Sequence, residues 1–582
     1  MPRRTDVRLV PAAALVWAAA AGGNYLPPAP LAALCLVLVA VSALLLLRAS
    51  PSAGDRLPGV PARRSFPATM AAALLLAAAA GAHGAVDSSR RHDGAVAAAA
   101  AAQSAVAVEV EITGAPRRLK NPGSAGLADR WAVPATLVEM NVDSHRVHTE
   151  AGLLVMGGAG WEQASPGQRI RTTGKLKTPG PGQPEAAVLL ASSAPGTIGS
   201  PGPWQRGPRE LRDRFAAAAG QFEGDARGLL PGMITGDTST LDAGLDEAMK
   251  SVGMTHLTAV SGANCSLVLG ALLLAARSLR FSRVAAGVLG VVGLGLFVLM
   301  VGPDASVLRA AVMGVIGLVS LSGGRPGRAL SFLCVAVIGL VLAQPALSAS
   351  YGFLLSVLAT LGIVVAGKPI MTWFPAPVPR WVAAGVAVPL SAQAFCGPVI
   401  VLLQPQLSSY ALPANVAAAL LVAPVTLLGT ASVPLVPLAP VLAAAPLAIA
   451  AAFASGVAGI ARFFAGLPGA VLPWPEGAYG AATMALFSAV CLAAWWLAFH
   501  PARTAGLALA AHSRTVTLLS RTPAVTEVLR APRGGYRPGL LHRSGRGTLR
   551  TCNQTSGRKP QCLLPRLHAP GPRHRRPPPG AT

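Results

Sequence analysis

The chain has 582 residues, of which 52% are apolar and only 12% charged, with a mean hydropathy of +0.53. Charged residues stand at half the ~25% usual in soluble domains, which excludes a soluble single-domain enzyme and a disordered chain. The net charge of +25 is uneven, because residues 501–582 hold 15 Lys and Arg against one acid, Glu527. The composition is that of a polytopic membrane protein with spans of ~20 apolar residues.

Three apolar runs open the chain, at 9–22, 31–47 and 68–82. Three closely spaced runs read as membrane helices and not as one cleaved leader. Arg3, Arg4 and Arg8 precede the first run, and Arg48, Arg56, Arg63 and Arg64 follow the second. The connection 22–30 between them has no Lys or Arg. Basic loops favour the cytoplasmic side, so the N-terminus is expected inside, with residues 84–253 outside the cytoplasm.

From about 104 to 200 the texture changes to short alternating runs. Strands are expected at Ala105–Ile112, Trp131–Met140, Val147–Met156, Gln168–Leu176 and Ala186–Ser192, separated by Gly and Pro clusters. Five short strands point to a small barrel, with an OB-fold among the possibilities. Arg117, Arg118, Lys120, Arg169, Arg171, Lys175 and Lys177 give this region a basic character. A solvated surface and a phosphate-backbone contact both account for such a set.

Residues 205–253 read as a soluble connector. Pro208 opens a charged helix through Ala219, and a second helix begins near Ser239. Its apolar stripe is Leu241, Leu245, Ala248, Met249 and Val252. Nine further spans are expected near 255–276, 284–302, 305–322, 329–343, 350–366, 381–403, 411–430, 436–458 and 479–498. Basic residues alternate with uncharged connections along them, in agreement with the N-terminal orientation.

The fold class is therefore a polytopic α-helical membrane protein of about 10–12 spans, with a small extracytoplasmic β-barrel, OB-like, inserted after the third span. The expected segments are 1–86 (N-terminal membrane helices), 104–200 (OB-like), 205–253 (amphipathic connector), 254–500 (transmembrane) and 501–582 (basic Arg/Pro-rich tail). Five of the seven cysteines lie inside apolar runs, and no zinc spacing or catalytic constellation appears. No cofactor, metal or enzymatic activity is expected.

The most informative stretch joins the connector to the first span of the second set. His256, Thr258, Ser261, Asn264 and Ser266 lie in the first half of that span. On a helix Thr258, Ser261 and Asn264 share one broad side, and such groups face protein or water in hydrocarbon. Gly262 allows close backbone approach. Helix–helix packing through small polar residues and the lining of a polar pathway both fit this pattern.

Here a resemblance enters. "MTHLTAVSGANCSLVLG" (254–270), preceded by "LLPGMITGDTSTLD" (229–242), resembles the competence domain of ComEC-type DNA-uptake channel proteins. "GPDASVLRAAVMG" (302–314) is similar to the family's Ser-Val-x-Arg-Ala segment, and "SYGFLLSVLATLGIV" (350–364) to its Gly-Phe-x-Leu-Ser segment. "PGQRIRTTGKLK" (166–177) is similar to a strand pair of its extracytoplasmic OB-like domain. The resemblance covers roughly residues 1–500 in collinear order. It implies a cell-membrane channel component for uptake of single-stranded DNA in natural transformation. A secondary transporter of a small solute is the alternative. The implied partners are single-stranded DNA, the lipid bilayer, a DNA receptor and a cytoplasmic helicase-like motor. The implied DNA pathway includes Asp237, His256, Ser261, Gly262, Asn264 and Arg309.

The chain departs from the family in two places. It has Asn264 where many members carry a His. It also lacks the His-x-His-x-Asp-His motif of the metallo-β-lactamase-like domain that many members carry after the membrane region. The abrupt change near residue 512 is read as a shifted reading frame, which would truncate the protein, with a basic disordered arm as the other reading.

Overall fold

The computed structural model describes residues 7–49, 65–92, 94–114, 116–119, 130–142, 145–180, 183, 185–200, 202–258, 260, 262–302, 305–322, 329–501, 504–506, 509 and 512–515. The expected tail thus falls almost entirely outside the described residues, as do Lys120 and Ser261.

Three helices open the chain: α1 (Val10–Tyr25), α2 (Pro28–Ala49) and α3 (Ser65–His92), followed by the short α4 (Ala95–Ala101). The three apolar runs thereby become helices, longer than the runs that announced them. The sheet follows, with β1 (Ala105–Ile112), β2 (Arg117–Leu119), β3 (Arg130–Val142), β4 (His145–Gly157), β5 (Arg169–Lys177), β6 (Ala187–Ala191) and β7 (Gly196–Gly199). Strand order is β1-β3-β4-β6-β5-β7, and β2 pairs β3. β1 also pairs β5, so the pairings run in a circle, β1-β3-β4-β6-β5-β1. All are antiparallel except β4 with β6.

Period-2 patterning, strict in β5, explains how this sheet builds a core. Along β5 exposed and buried residues alternate without a break, from Arg169 to Lys177. Its inward residues include Ile170 and Leu176, which join Val106, Val108, Val110, Leu137, Leu153, Val155, Trp161 and Leu189 in one apolar core. Gly174 is required by close approach: a Cβ there would overlap the Leu190 carbonyl of the crossing β6.

The connector holds three helices, α5 (Pro203–Ala219), α6 (Ala226–Thr235) and α7 (Ala243–Ser251). Helix α5 is amphipathic. Leu211 and Phe215 pack on the core, while Arg209–Asp213 (3.6 Å) and Arg214–Glu210 (2.6 Å) pair one turn apart on the outer side. Pro208 lies inside this helix and not at its start. The α7 cap is Asp242, whose Oδ2 accepts the Leu245 N–H at 2.9 Å, so the second expected helix begins a turn later than its sequence signal.

The membrane region follows as α8 (Gly262–Ser278), α9 (Arg283–Val301), α10 (Ala305–Ser322), α11 (Ala329–Ala343), α12 (Tyr351–Gly362), α13 (Lys368–Trp373), α14 (Arg380–Leu403), β8 (Gln406–Ser408), α15 (Ala411–Leu438), α16 (Pro440–Ala465), β9 (Val471–Pro473) and α17 (Gly477–Phe499). A π-helical stretch, Ile363–Gly367, joins α12 to α13 without a break. Among the described residues eight helices are long and apolar enough to cross a membrane, with shorter apolar stretches at Gly262–Ser278, Val307–Leu318 and Ala329–Ala343. About 10–12 spans are expected from the sequence; among the described residues eight helices have the length of a full span, and two further apolar runs form helices of 17 and 15 residues, Gly262–Ser278 and Ala329–Ala343. Exposed Leu36, Leu47, Val284, Leu296, Leu442 and Leu486 put an apolar surface where acyl chains would lie.

Two apolar cores organise the helices. One joins the connector to the membrane helices: Phe215, Leu229, Leu230, Met249 and Met254 pack with Val268, Phe297, Val425 and Val457. The other joins α1 and α3 to α11 and α12. Trp17 stacks on Phe353 there at 5.0 Å between ring centroids, and its Nε1 donates to the Ser348 carbonyl at 3.1 Å.

Candidate functional site

Two sets of polar contacts in the membrane half involve the residues singled out from the sequence, one between α6 and α8 and one between α10 and α12. Helix α6 stops at Gly236, whose φ of +78° is a left-handed cap that suits glycine. Its last carbonyls need donors. Gly236 N–H reaches the Gly232 carbonyl at 3.2 Å, and the buried Asn264 donates from Nδ2 to the Met233 carbonyl at 3.2 Å. Asn264 thus ties the start of a membrane helix to the end of the connector helix. Asp237 follows the cap, and its Oδ1 accepts the Ser239 N–H at 3.0 Å, a local turn.

Residues 255–257 form one 3-10 turn, and α8 begins only at Gly262. Thr258 and Asn264 therefore do not share a helical face, contrary to the helix expected from 255. His256 is exposed on that turn. Gly262 lies against α10: a Cβ added there would sit 3.2 Å from both the Ala310 Cβ and the Arg309 Nη2.

Arg309 is the most heavily buried cation of the described residues, at 5% exposure. Its Nε donates to Ser356 Oγ at 2.9 Å, its Nη1 to Thr360 Oγ1 at 2.8 Å, and its Nη2 also to Ser356 Oγ. Nη1 further contacts the Met313 sulfur at 3.5 Å. Among the described residues no carboxylate pairs with it. Neutral hydroxyls hold the guanidinium in place without cancelling its charge, in a setting where an unpaired cation is costly. The geometry brings Gly262 and Arg309 together and links Asn264 to α6. It forms no hydrogen bond or ion pair among Asp237, His256 and Arg309.

Sequence reasoning passed over Ser356 and Thr360, although their spacing of four on one helix was a usable signal. It also passed over Arg462 near the end of α16. That guanidinium donates to Asp225 through Nε and Nη2, both at 2.7 Å, and to Asp242 from Nη2 at 2.9 Å. It fastens the connector to the membrane helices. Asp242 is held below the ordinary carboxylate range, chiefly by the Leu245 N–H and next by Arg462.

In the sheet, Arg117 and Arg118 are exposed on β2, opposite Ala132 and Trp131. Arg169, Arg171, Lys175 and Lys177 all lie on the outward side of β5. The register sets Glu111 opposite Arg169 and Glu109 opposite Arg171, with N–O separations of 3.4 and 3.7 Å. These two acids were not weighed from the sequence. The basic stripe is charge-compensated at one end and bare at the other.

Residues 233–499 match the family model described as Competence protein. The chain is also similar to ComE operon protein 3 of Bacillus subtilis (strain 168), with 26% identity over 144 residues. That alignment takes in 25% of this chain and 19% of the relative, far short of its full length. No solved structure matches. Asp237, His256, Gly262, Asn264 and Arg309 all fall inside the matched region, so the stretch of this multi-pass membrane protein that carries them is similar to the Competence protein family.

Proposed function

We propose that this protein takes part in DNA uptake during natural transformation, as a membrane channel component through which a single DNA strand passes. The observation that carries this reading is the competence match over 233–499. The packing of the same region supports it. A phosphodiester strand needs a polar route through hydrocarbon, and α10 and α12 hold the Arg309 guanidinium among hydroxyls, with no carboxylate paired to it among the described residues. No phosphate-binding loop is apparent in the sequence, so a separate motor supplies the energy, with a DNA receptor delivering the strand.

The sheet region is read as an OB-type barrel outside the cytoplasm. Its circular strand order, with one parallel pairing between β4 and β6, supports that reading. Its exposed basic residues are read as a weak, sequence-independent surface for single-stranded DNA.

The test is transformation of the host strain carrying Arg309→Gln as its only copy. Transformants should fall at least tenfold, with normal membrane levels of the protein and unchanged DNA binding at the cell surface. Wild-type transformation by that variant would refute the pathway role and return a small-solute carrier to first place.

A further inference from the structure

The outward face of β5 changes character halfway along, and the change follows from register. Toward one end, Arg171 and Arg169 face Glu109 and Glu111 across the β1 pairing. Toward the other end, Thr173 faces Ala107 and Lys175 faces Ala105, two small side chains without charge. On the opposite side of β5, Lys175 pairs with Leu190 and Lys177 with Val188. Among the described residues neither lysine has a carboxylate within ion-pair distance.

A shallow depression of about 520 Å3 lies at this bare end, lined by Ala105, Val106, Thr173, Gly174, Lys175, Leu190 and Ser192. Its size falls in the ~300–1,000 Å3 range of small-ligand sites. Its chemistry is divided. Lys175 supplies a cation, and Thr173 and Ser192 supply hydroxyls 3.4 Å apart. Leu190 and Ala105 supply exposed apolar surface. Gly174 keeps the floor open, since β6 passes too close for any side chain.

We infer that the sheet takes one nucleotide unit of a DNA strand in this depression, with Lys175 on the phosphate and Leu190 against the sugar and base. The Ser192 and Thr173 hydroxyls turn to that phosphate from the Thr173 carbonyl and Ser193 Oγ that they bond in its absence. Lys177 extends the contact toward the next phosphate. Glu109 and Glu111 end the binding track by cancelling the field of Arg171 and Arg169. The inference rests on the proposed role of the sheet as a DNA-binding surface and narrows it to one end.

Footprinting of the full chain in zwitterionic nanodiscs tests this. Lysines are acetylated and arginines modified with phenylglyoxal, with and without a twelve-residue oligothymidylate, and each site is read by mass spectrometry. Acetylation of Lys175 and Lys177 should slow about threefold or more, while Arg169 and Arg171 react at their free rate. The protection should vanish as salt rises, because counterion release drives phosphate binding. In the Glu109→Gln, Glu111→Gln double variant, protection should spread to Arg169 and Arg171. DNA protection of Arg169 and Arg171 in the wild type, with Lys175 unprotected, overturns the inference and leaves the DNA-binding surface standing. Absence of DNA protection throughout 104–200 overturns both. Slowing of Lys175 by nanodiscs containing anionic lipid, without DNA, assigns the depression to lipid headgroups and also overturns it.

Discussion

Asn264 illustrates how one side chain couples two compartments of the molecule. Its amide meets a carbonyl at the end of α6 that has no partner within its own helix. Asn264→Ala leaves that buried carbonyl without a donor, at a cost of about 1–3 kcal/mol. The melting temperature of the purified protein in detergent should drop accordingly, and an unchanged value would show that another group satisfies Met233. Asp242 makes a second point at this scale. A carboxyl whose folded pKa is lowered stabilises the fold at pH above its unfolded value, about 3.9, and loses that contribution as pH falls through the folded one. Melting curves between pH 6 and pH 3 should therefore lose stability more steeply for the wild type than for Asp242→Asn. Identical acid limbs would rule out Asp242 as a source of that loss.

Among the elements, α12 and α14 approach each other closely, backbone against backbone. A Cβ at Gly362 would stand 2.6 Å from the Ser391 carbonyl oxygen and 3.0 Å from the Phe395 ring. Gly362→Ala should force the helices apart at a cost of about 1–3 kcal/mol, seen as a lower melting temperature with normal membrane insertion. Unaltered stability would mean that the π-helical stretch just after Gly362 absorbs the shift. The same scale shows what the sequence disclosed. The β5 strand was legible because its alternation is complete, and the long spans because an apolar run of that length has few alternatives. Helix α6 was not. Gly228, Pro231 and Gly232 interrupt its ten residues, yet every residue except Arg227 is buried. Packing and not propensity makes it a helix. The site was legible only in part for a related reason. The polar residues of 254–264 stand out locally, but the hydroxyls that hold Arg309 come from 47 and 51 positions away. Likewise, nothing local to β5 reveals that β1 sets two glutamates across from it.

For the whole molecule the first question is which face of the membrane carries the sheet. From the Arg distribution of the first loops we propose that it lies outside the cytoplasm, and Ser192 is exposed on it. Ser192→Cys should react with a membrane-impermeant maleimide in intact cells, against a background of native cysteines measured in the parent. Labelling only after lysis would reverse the proposed topology. The clasp around Arg462 bears on how such a molecule comes to exist. The connector carboxylates Asp225 and Asp242 precede their guanidinium by 237 and 220 positions. At about 5–20 residues per second of synthesis, α6 and α7 emerge roughly 10–50 s before the residue that fastens them. During that interval the α5–α7 segment is an unfinished product, open to proteases and to chaperones on its side of the membrane. Completion of α16 is the event that ends its vulnerability, so ribosome pausing before codon 462 should lower yield more than pausing after it.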